Sequence, residues 1–435
     1  MSVIRRPAQL SYNIPPKQYS RNVFEPDQNM LLRAQAVQNC LQENWKKTIV
    51  DNQANNNDIE KIATSEIPEG EKISKIQKVS QSFNKYTRYT RTKVKTNMFI
   101  KHAMIGRGGF GAIYLVTDKS DGQFYALKVM PKSKIIENGL IANVAIEKKI
   151  YTKCHLKRSV ETYATFQDKV NIYYLMEYLP GGDLRRLMTN IALSEKQVQF
   201  VIGEILLCLQ ELQAQNIYHL DLKPENIMLT SDGHFKLTDF GLSHIPNDDD
   251  FIKSLLDDAS IQKRNKRYRR CATVGYMPPE VAQDREPTDR SDLWSVGVIM
   301  YELIYGKLPF PAEMLRTSDN NLMKHLVFPQ FLIVSRNAIN LMTALLQPAS
   351  TRPPLSEIMK SKFFTRFNFE EPHLNLSPFV PAINHPFDLS HFNTDNLYDN
   401  DFAPQIDNSE WAKLAFLGFT YRKRPEPLSE CQPNA

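Results

Sequence analysis

The chain has 435 residues, 42% hydrophobic and 23% charged, which is ordinary for a globular protein and long enough for two lobes with extensions. Its 54 basic and 48 acidic residues give a formal net charge of only +6, so we predict no nucleic-acid partner. The five cysteines are odd in number, widely spaced and without a CxxC pair. They favour a reducing compartment over a disulfide framework or structural zinc.

Neither an apolar signal core at the N-terminus nor a run of ~18 apolar residues is evident in the sequence. We therefore expect an intracellular protein without a transmembrane segment. Residues 1–97 are rich in Gln, Asn and Lys and poor in aromatic residues, which predicts a helical, partly disordered regulatory extension. Spaced apolar positions over residues 30–50 predict an amphipathic helix there.

From Met98 onward the pattern becomes β-rich, with predicted strands on either side of a glycine-rich turn and a second turn at residues 120–122. After residue 182 the apolar spacing is helical, as in residues 195–216 and 291–306. The chain is thus predicted to be α+β, with a β-rich lobe, a mainly α-helical lobe, and an aromatic, proline-punctuated tail. We place the boundaries at 1–97, 98–364 and 365–435.

The glycine-rich turn, residues 106–111, fits GxGxxG, a pattern that dinucleotide-binding turns share. A dinucleotide-binding turn must open a helix, whereas residues 112–116 are β-prone. The sequence therefore predicts a hairpin that covers phosphates.

Lys128 follows on a strand that is otherwise predicted to be buried, and Glu147 lies in the helix-like stretch after it. An isolated lysine would by default be a strand-end side chain reaching solvent, and an isolated glutamate would lie on a solvated helix face. Together they match the ion pair that holds a lysine on the α- and β-phosphates of ATP.

Two further segments carry the strongest signal, residues 219–226 (HLDLKPEN) and 236–241 (KLTDFG). With the glycine turn, Lys128 and Glu147, they match the protein kinase signature in order and distance. Residues 98–364 thus resemble a protein kinase, which implies the bilobal kinase fold, ATP and Mg²⁺. In that resemblance Asp221 accepts the substrate proton, Lys223 neutralises the transferred phosphoryl group, and Asn226 with Asp239 hold magnesium.

The resemblance also implies the other contacts of the site. Met176 would be the gatekeeper, and the ATP-binding set would be Ile105, Gly106, Arg107, Gly108, Gly109, Phe110, Gly111, Ala112, Ile113, Ala126, Lys128, Met176, Glu177, Tyr178 and Asp183. The lysine of LKPEN, together with Thr273 in residues 272–280, resembles serine/threonine kinases. Glu280 would pair with Arg352, and Asp292 would anchor the catalytic loop. Asp183 and Glu225 resemble acidic positions that select basic residues before the target hydroxyl.

Residues 166–184, and residues 416–421 with Phe416, Phe419 and Thr420, resemble the AGC class of kinases and its NDR/LATS family in particular. The second match is the hydrophobic motif, which implies that its aromatic residues dock on the small lobe beside the helix of Glu147. The basic residues 262–270 resemble an NDR insert. Residues 263–270 would either restrain the small lobe or the substrate cleft, or form a disordered, solvated loop. The basic residues 80–95 resemble the region that binds Mob coactivators.

The sequence departs from the family at Leu220, which replaces the arginine that grips a phosphorylated activation loop. Residues 262–272 contain no serine or threonine. In an alternative alignment residues 272–275 match the NDR sequence STVG, which again puts alanine at the activating serine. We therefore predict that Thr420 is the main regulatory phosphosite. Two alternatives to an active NDR/LATS-like kinase are a pseudokinase scaffold and a MAST/Greatwall-like AGC kinase.

Overall fold

A computed structural model describes residues 28–109, 111–246, 274–283, 285–316, 322–330, 332–383, 385, 387–392, 416 and 419–423. The N-terminal extension forms two helices that contact each other, α1 (Gln28–Thr64) and α2 (Glu69–Arg91). The helix predicted over residues 30–50 is confirmed as part of α1. No helix in the described part of the chain is both long enough and apolar enough to cross a membrane.

The first lobe is built on a six-stranded sheet. Five of its strands come from the chain after the extension, and the sixth comes from the C-terminal tail. They are β1 (Phe99–Arg107), β2 (Ala112–Asp118), β3 (Phe124–Pro131), β4 (Thr162–Gln167), β5 (Asn171–Glu177) and β8 (Tyr421–Arg422). Their order in the sheet is β1-β2-β3-β5-β4-β8, with every pair antiparallel. In the predicted turn between β2 and β3, Asp118 accepts a hydrogen bond from the Ser120 N–H at 2.8 Å, and Gly122 has a φ of +71°.

Two helices connect β3 to β4, namely α3 (Lys132–Glu137) and α4 (Ile141–Lys153). The first half of α4 packs into the core of the sheet lobe through Ile141 and Val144. Its second half packs into the core of the helical lobe through Ile146 and Ile150. Helix α4 therefore belongs to both cores, and it carries Glu147 between them.

The second lobe is mainly helical. Its helices are α5 (Leu184–Asn190), α6 (Glu195–Ala214), α7 (Pro279–Ala282), α8 (Ser291–Tyr305), α9 (Ala312–Arg316), α10 (Arg336–Leu345) and α11 (Leu355–Ile358). Ser194 and Gln197 form a capping box that starts α6. A small antiparallel hairpin, β6 (Ile227–Leu229) and β7 (Phe235–Leu237), lies between α6 and α7 along the chain. The predicted α+β, bilobal architecture is confirmed.

The tail after residue 364 packs back along both lobes. Phe367 lies against Gly203 of α6, where an added Cβ would come within 2.6 Å of its ring. Ser377 donates a hydrogen bond to the carbonyl of Gly233 at 2.6 Å. Further along, the ring of Phe392 stacks on Tyr178 with centroids 5.8 Å apart. The tail thus reaches the connection between the two lobes.

Candidate active site

The predicted glycine hairpin joins β1 to β2. The Gly108 N–H donates to the carbonyl of Gly111 at 2.9 Å, which closes the turn. Gly108 and Gly109 have open space where a Cβ would be, whereas a Cβ on Gly111 would overlap the carbonyl oxygen of Val129 on β3. The turn is therefore open at its tip and tightly packed at its base. Phe110, which was included in the predicted ATP-binding set, lies outside the described residues.

Lys128 on β3 contacts two carboxylates. Its Nζ lies 2.7 Å from Glu147 Oε1 and 3.0 Å from Asp239 Oδ1. Burial by itself would lower the pKa of Lys128, but Asp239 and Glu147 outweigh it and raise the pKa above its usual value. The positive charge of Lys128 in turn holds the pKa of Asp239 below its usual value, against the effect of burial. The predicted Lys128–Glu147 contact is present, and burial raises the pKa of Glu147 although Lys128 opposes the shift.

The segment from His219 to Asn226 forms a loop held by buried hydrogen bonds. The backbone N–H groups of His219 and Leu220 donate to the two carboxylate oxygens of Asp292 on α8, at 2.7 and 2.8 Å. Leu220 is buried and has a φ of +62°, a conformation that costs energy for a residue with a Cβ. Asp292 therefore anchors the loop, as the sequence predicted.

Within this loop Asp221 has two side-chain partners. Lys223 Nζ lies 2.6 Å from Asp221 Oδ2, and the Asn226 amide nitrogen donates to the same oxygen at 3.1 Å. Burial raises the pKa of Asp221 to about 6, although Lys223 opposes the shift. At pH 7 most of this carboxyl group is ionised and able to accept a proton.

The segment containing Asp239 is tied to both the loop and α4. Asp239 has a φ of +63°, and its backbone N–H donates to the Tyr151 hydroxyl at 3.1 Å. Phe240 is fully buried between Tyr151 and the ring of His219, with centroids 5.2 and 5.1 Å away. Asn143 donates to the carbonyl of Gly241 at 2.6 Å. Two α4 side chains thus orient this segment, and sequence reasoning identified neither Tyr151 nor Asn143.

His219 contributes packing and a hydrogen bond and stays uncharged. Its ring is fully buried, and Nε2 lies 3.1 Å from the carbonyl oxygen of Thr238. Burial lowers the pKa of His219 to about 4. The ring therefore connects the loop to the Asp239 segment without adding charge near neutral pH.

Three members of the predicted ATP-binding set, Met176, Glu177 and Tyr178, lie where β5 leaves the sheet. Met176 is buried and pairs with Ala126 across the β3–β5 ladder. The Glu177 N–H donates to the carbonyl of Glu161 at 2.8 Å, and its carboxylate lies 2.7 Å from Lys236 Nζ. Asp183 caps α5, since it accepts a hydrogen bond from the Arg186 N–H at 2.8 Å.

The end of the activation segment is fixed by an ion pair in the helical lobe. Arg352 is fully buried and its Nη1 lies 2.9 Å from Glu280 Oε1. This predicted contact is confirmed. Thr273 and the basic residues 262–270 lie outside the described residues.

The hydrophobic motif docks on the sheet lobe next to α4, as predicted. Phe416 and Phe419 are buried in the same core as Ile141 and Val144. Thr165 donates to the carbonyl of Phe419 at 2.5 Å, and Gln167 donates to the carbonyl of Phe416 at 2.8 Å. The residues that follow form β8 on the edge of β4, an edge pairing that sequence reasoning did not predict. Thr420 is exposed.

Comparisons with known proteins agree with this geometry. Residues 99–364 match the protein kinase domain family. The chain is similar to the serine/threonine-protein kinase Warts of Drosophila melanogaster, with 28% identity over 96% of this chain and 42% of Warts. It is 32% identical to the serine/threonine-protein kinase sax-1 of Caenorhabditis briggsae, over 77% of this chain and 78% of sax-1.

It is likewise 32% identical to the Rho-associated protein kinase let-502 of Caenorhabditis briggsae, over 78% of this chain and 28% of let-502. The chain thus spans less than half the length of Warts and of let-502, and more than three quarters of sax-1. Warts and sax-1 are both NDR/LATS-family kinases. From its kinase domain, its fold and these relatives, the chain belongs to the protein kinase family, among serine/threonine protein kinases of the NDR/LATS type.

Proposed function

We propose that the chain is an ATP-dependent serine/threonine protein kinase that transfers the γ-phosphoryl group of ATP to hydroxyl groups of protein substrates. One observation carries this proposal. Lys128 of the sheet lobe contacts Glu147 and Asp239 within 3.0 Å, and Asp221 of the helical lobe is held by Lys223 at 2.6 Å. The charged side chains that phosphoryl transfer requires are thus present in both lobes, and each already has a partner of opposite charge.

In the proposed reaction Asp221 accepts the proton of the substrate hydroxyl while that oxygen forms a bond to the γ-phosphorus. The bond from the γ-phosphorus to the bridging oxygen breaks, and ADP leaves with the electron pair. Lys223 neutralises the transferred group, and Lys128 holds the α- and β-phosphates in position. The protein contributes positioning and charge, and forms no covalent intermediate.

Asn226 and Asp239 would hold magnesium. The amide nitrogen of Asn226 is used by Asp221, at 2.9 Å from its carbonyl and 3.1 Å from its carboxylate, which leaves the amide oxygen for a cation. The Thr238 N–H donates to the backbone carbonyl of Asn226 at 3.0 Å. This hydrogen bond brings Asp239, the residue after Thr238, beside Asn226. This hard oxygen pair fits Mg²⁺, which would supply charge neutralisation on the phosphate oxygens.

The nucleotide would lie between the glycine hairpin and the start of the helical lobe. The open space above Gly108 and Gly109 leaves room for phosphates, and the tail contact at Tyr178 borders the predicted adenine site. The Glu177 carbonyl and the Tyr178 backbone would bind adenine, with Met176 behind it and Asp183 near the ribose. Gly106, Arg107, Gly111, Ile105, Ala112, Ile113 and Ala126 would complete the walls.

The test is phosphate transfer from labelled Mg-ATP to serine and threonine peptides by the purified chain. Asp221→Asn removes the proton acceptor and is expected to lower the rate by about 10²–10⁴-fold. Lys128→Met removes the phosphate contact and should abolish turnover, while tryptophan fluorescence shows an intact fold. Equal rates in wild type and both variants would contradict the assignment. Nucleotide binding with no transfer by the wild type would favour the pseudokinase alternative.

The regulatory context is also proposed from the relatives. We infer NDR/LATS-like signalling in growth, division or morphology, in the cytoplasm and also the nucleus, with a Mob-type coactivator on the extension. The extension also contacts the tail, because Arg422 of β8 donates to the carbonyl of Thr92, one residue after α2, at 3.2 Å. Binding of a purified Mob protein to the chain would favour an NDR/LATS-like kinase over a MAST/Greatwall-like kinase.

The match over residues 99–364 supports the proposed division of the chain into an extension, a kinase domain and a tail at residues 97 and 364.

A further inference from the structure

An arginine of the chain itself bridges two carboxylates beside the catalytic loop. Arg185 lies at the start of α5, and its Nε is 2.9 Å from Glu225 Oε1. Its Nη1 is 2.8 Å from Glu302 Oε1 on α8. The Tyr276 hydroxyl bonds both Arg185 Nη2 and Glu302 Oε2. A guanidinium group therefore fills an acidic pocket built from three separate segments.

This pocket lies next to the proposed proton acceptor. Glu225 directly precedes Asn226, whose amide donates to the Asp221 carboxylate at 3.1 Å. Tyr276 belongs to the end of the activation segment, three residues before α7 starts at Pro279. The Glu302 side chain is only 11% exposed, whereas that of Glu225 is 43% exposed. The pocket is thus closed at its base and open towards the side where a protein substrate would lie.

The chemistry of the pocket suits a guanidinium, since a planar fork can bond two carboxylates at once. Family resemblance led us to expect Asp183 and Glu225 to recognise basic substrate residues. In the structure one Asp183 oxygen caps α5, and Glu225 already pairs with Arg185. A substrate arginine would have to displace Arg185 or lie beside a like charge.

We propose that Arg185 is a specificity-determining residue that occupies, from within the chain, the acidic subsite otherwise available to an arginine preceding the target hydroxyl. This inference rests on the proposed kinase function and deepens it. Substrates are then selected without an arginine at this subsite, and removal of Arg185 creates a preference for one.

The test uses peptide pairs that differ only by Arg or Ala at each of the positions before the target residue. For wild type, the Arg/Ala ratio of kcat/KM should stay below about fivefold at the position served by this subsite, which is the position where Arg185→Met changes the ratio. Arg185→Met should raise the ratio about tenfold at one position, as expected for one gained charge-assisted contact. Arg186→Met is the matched control, because among the described residues the one hydrogen bond of its head group goes to the Ser390 carbonyl, at 3.5 Å. It should keep the wild-type ratios.

Two results would overturn the inference: a wild-type ratio of fivefold or more at the position where Arg185→Met changes the ratio, or an Arg185→Met ratio raised by less than fivefold at every position. If Arg185→Met does not fold because Glu302 loses its partner, Glu225→Gln in the otherwise unchanged chain decides. Its ratio should equal that of wild type, and a drop would show that Glu225 serves the substrate. Peptide affinities measured by calorimetry with a non-hydrolysable ATP analogue give the same ratios without turnover. An inactive chain would therefore contradict the proposed function and still test the subsite.

Discussion

Leu220 replaces a basic side chain of the family pattern, yet the loop around it is fully formed. Its backbone N–H and that of His219 are held by Asp292, and its side chain is buried in the helical-lobe core. The loop geometry thus comes from a carboxylate on α8 and from burial, and a leucine offers no group to bind a phosphate. Control by a phosphate at this point would require a different receptor.

Asp221 gives a kinetic prediction from its pKa of about 6, raised by burial against the charge of Lys223. In the proposed role the ionised form of Asp221 accepts the proton, so protonation would remove activity. We expect kcat/KM to be level above pH 6 and to fall about tenfold per pH unit below it. His219, with a pKa of about 4, stays uncharged between pH 6 and pH 5. A profile that stays level down to pH 5 would contradict the assigned role.

The pH profile needs a control variant at Asp292, because burial also raises the pKa of Asp292 to about 6. Asp292→Asn removes the titrating group and keeps an oxygen that can accept one of the two backbone N–H groups. If Asp221 is the base, the fall below pH 6 persists in this variant, at a lower overall rate. If the fall disappears, protonation of Asp292 and loosening of the loop explain it instead.

Gly111 has no room for a side chain, since an added Cβ would overlap the Val129 carbonyl. Gly111→Ala must shift β2 or β3, which we expect to cost about 1–3 kcal/mol in the free energy of unfolding. Misplacing the hairpin and Lys128 should lower kcat/KM for ATP about 10- to 100-fold. Gly109→Ala meets nothing within 4 Å. Denaturant unfolding should therefore give Gly109→Ala a stability within about 0.5 kcal/mol of wild type.

Helix α4 is the element through which the tail can influence the site. It carries Glu147 to Lys128, it orients the Asp239 segment through Asn143 and Tyr151, and its Val144 carbonyl accepts from the Tyr174 hydroxyl at 3.1 Å. The ring of Phe419 meets Tyr174 edge-on at 5.4 Å. A change in how the tail docks therefore acts on the position of Glu147 through direct contacts.

Thr420 is predicted to be the main regulatory phosphosite. A phosphate there adds about −1.5 to −2 charges at the residue after Phe419, over whose ring Lys148 Nζ of α4 lies at 6.0 Å. Thr420→Ala should lower kcat about fivefold or more relative to phosphorylated wild type. Phe416→Ala should have the same effect even when Thr420 is phosphorylated, because it removes an anchor.

Thr420→Ser is the matched control, since it retains a hydroxyl that can be phosphorylated, and it should keep wild-type activation. Rates are compared for phosphorylated and unmodified protein across Mg-ATP concentrations. If the two forms have equal rates at every concentration, Thr420 is not the switch.

In the whole molecule, the candidate site was easier to predict from the sequence than the packing around it. Lys128, Asp221 and Asp239 were predicted because phosphoryl transfer restricts residue types at fixed spacings, and the structure places Lys128 Nζ 3.0 Å from Asp239 Oδ1. Contacts such as Thr165 with Phe419 join residues 254 positions apart and leave no periodic signal in the sequence. The role of Arg185 was missed for a similar reason, because its partners come from a loop and from α8. A motif reports which residues react, and only the fold reports which are already paired.

The tail after residue 364 is separate in the sequence but continuous with the helical-lobe core. Phe379 is 6% exposed and lies 6.1 Å from Phe200 and 6.0 Å from Phe235, measured between ring centroids. Removing such a ring leaves a cavity, so Phe379→Ala should lower the free energy of unfolding by about 3–5 kcal/mol. Its neighbour Val380 is 66% exposed, and Val380→Ala should change stability by no more than about 0.5 kcal/mol. Urea unfolding compares the two variants, and equal losses would show that the tail is not part of the folded core.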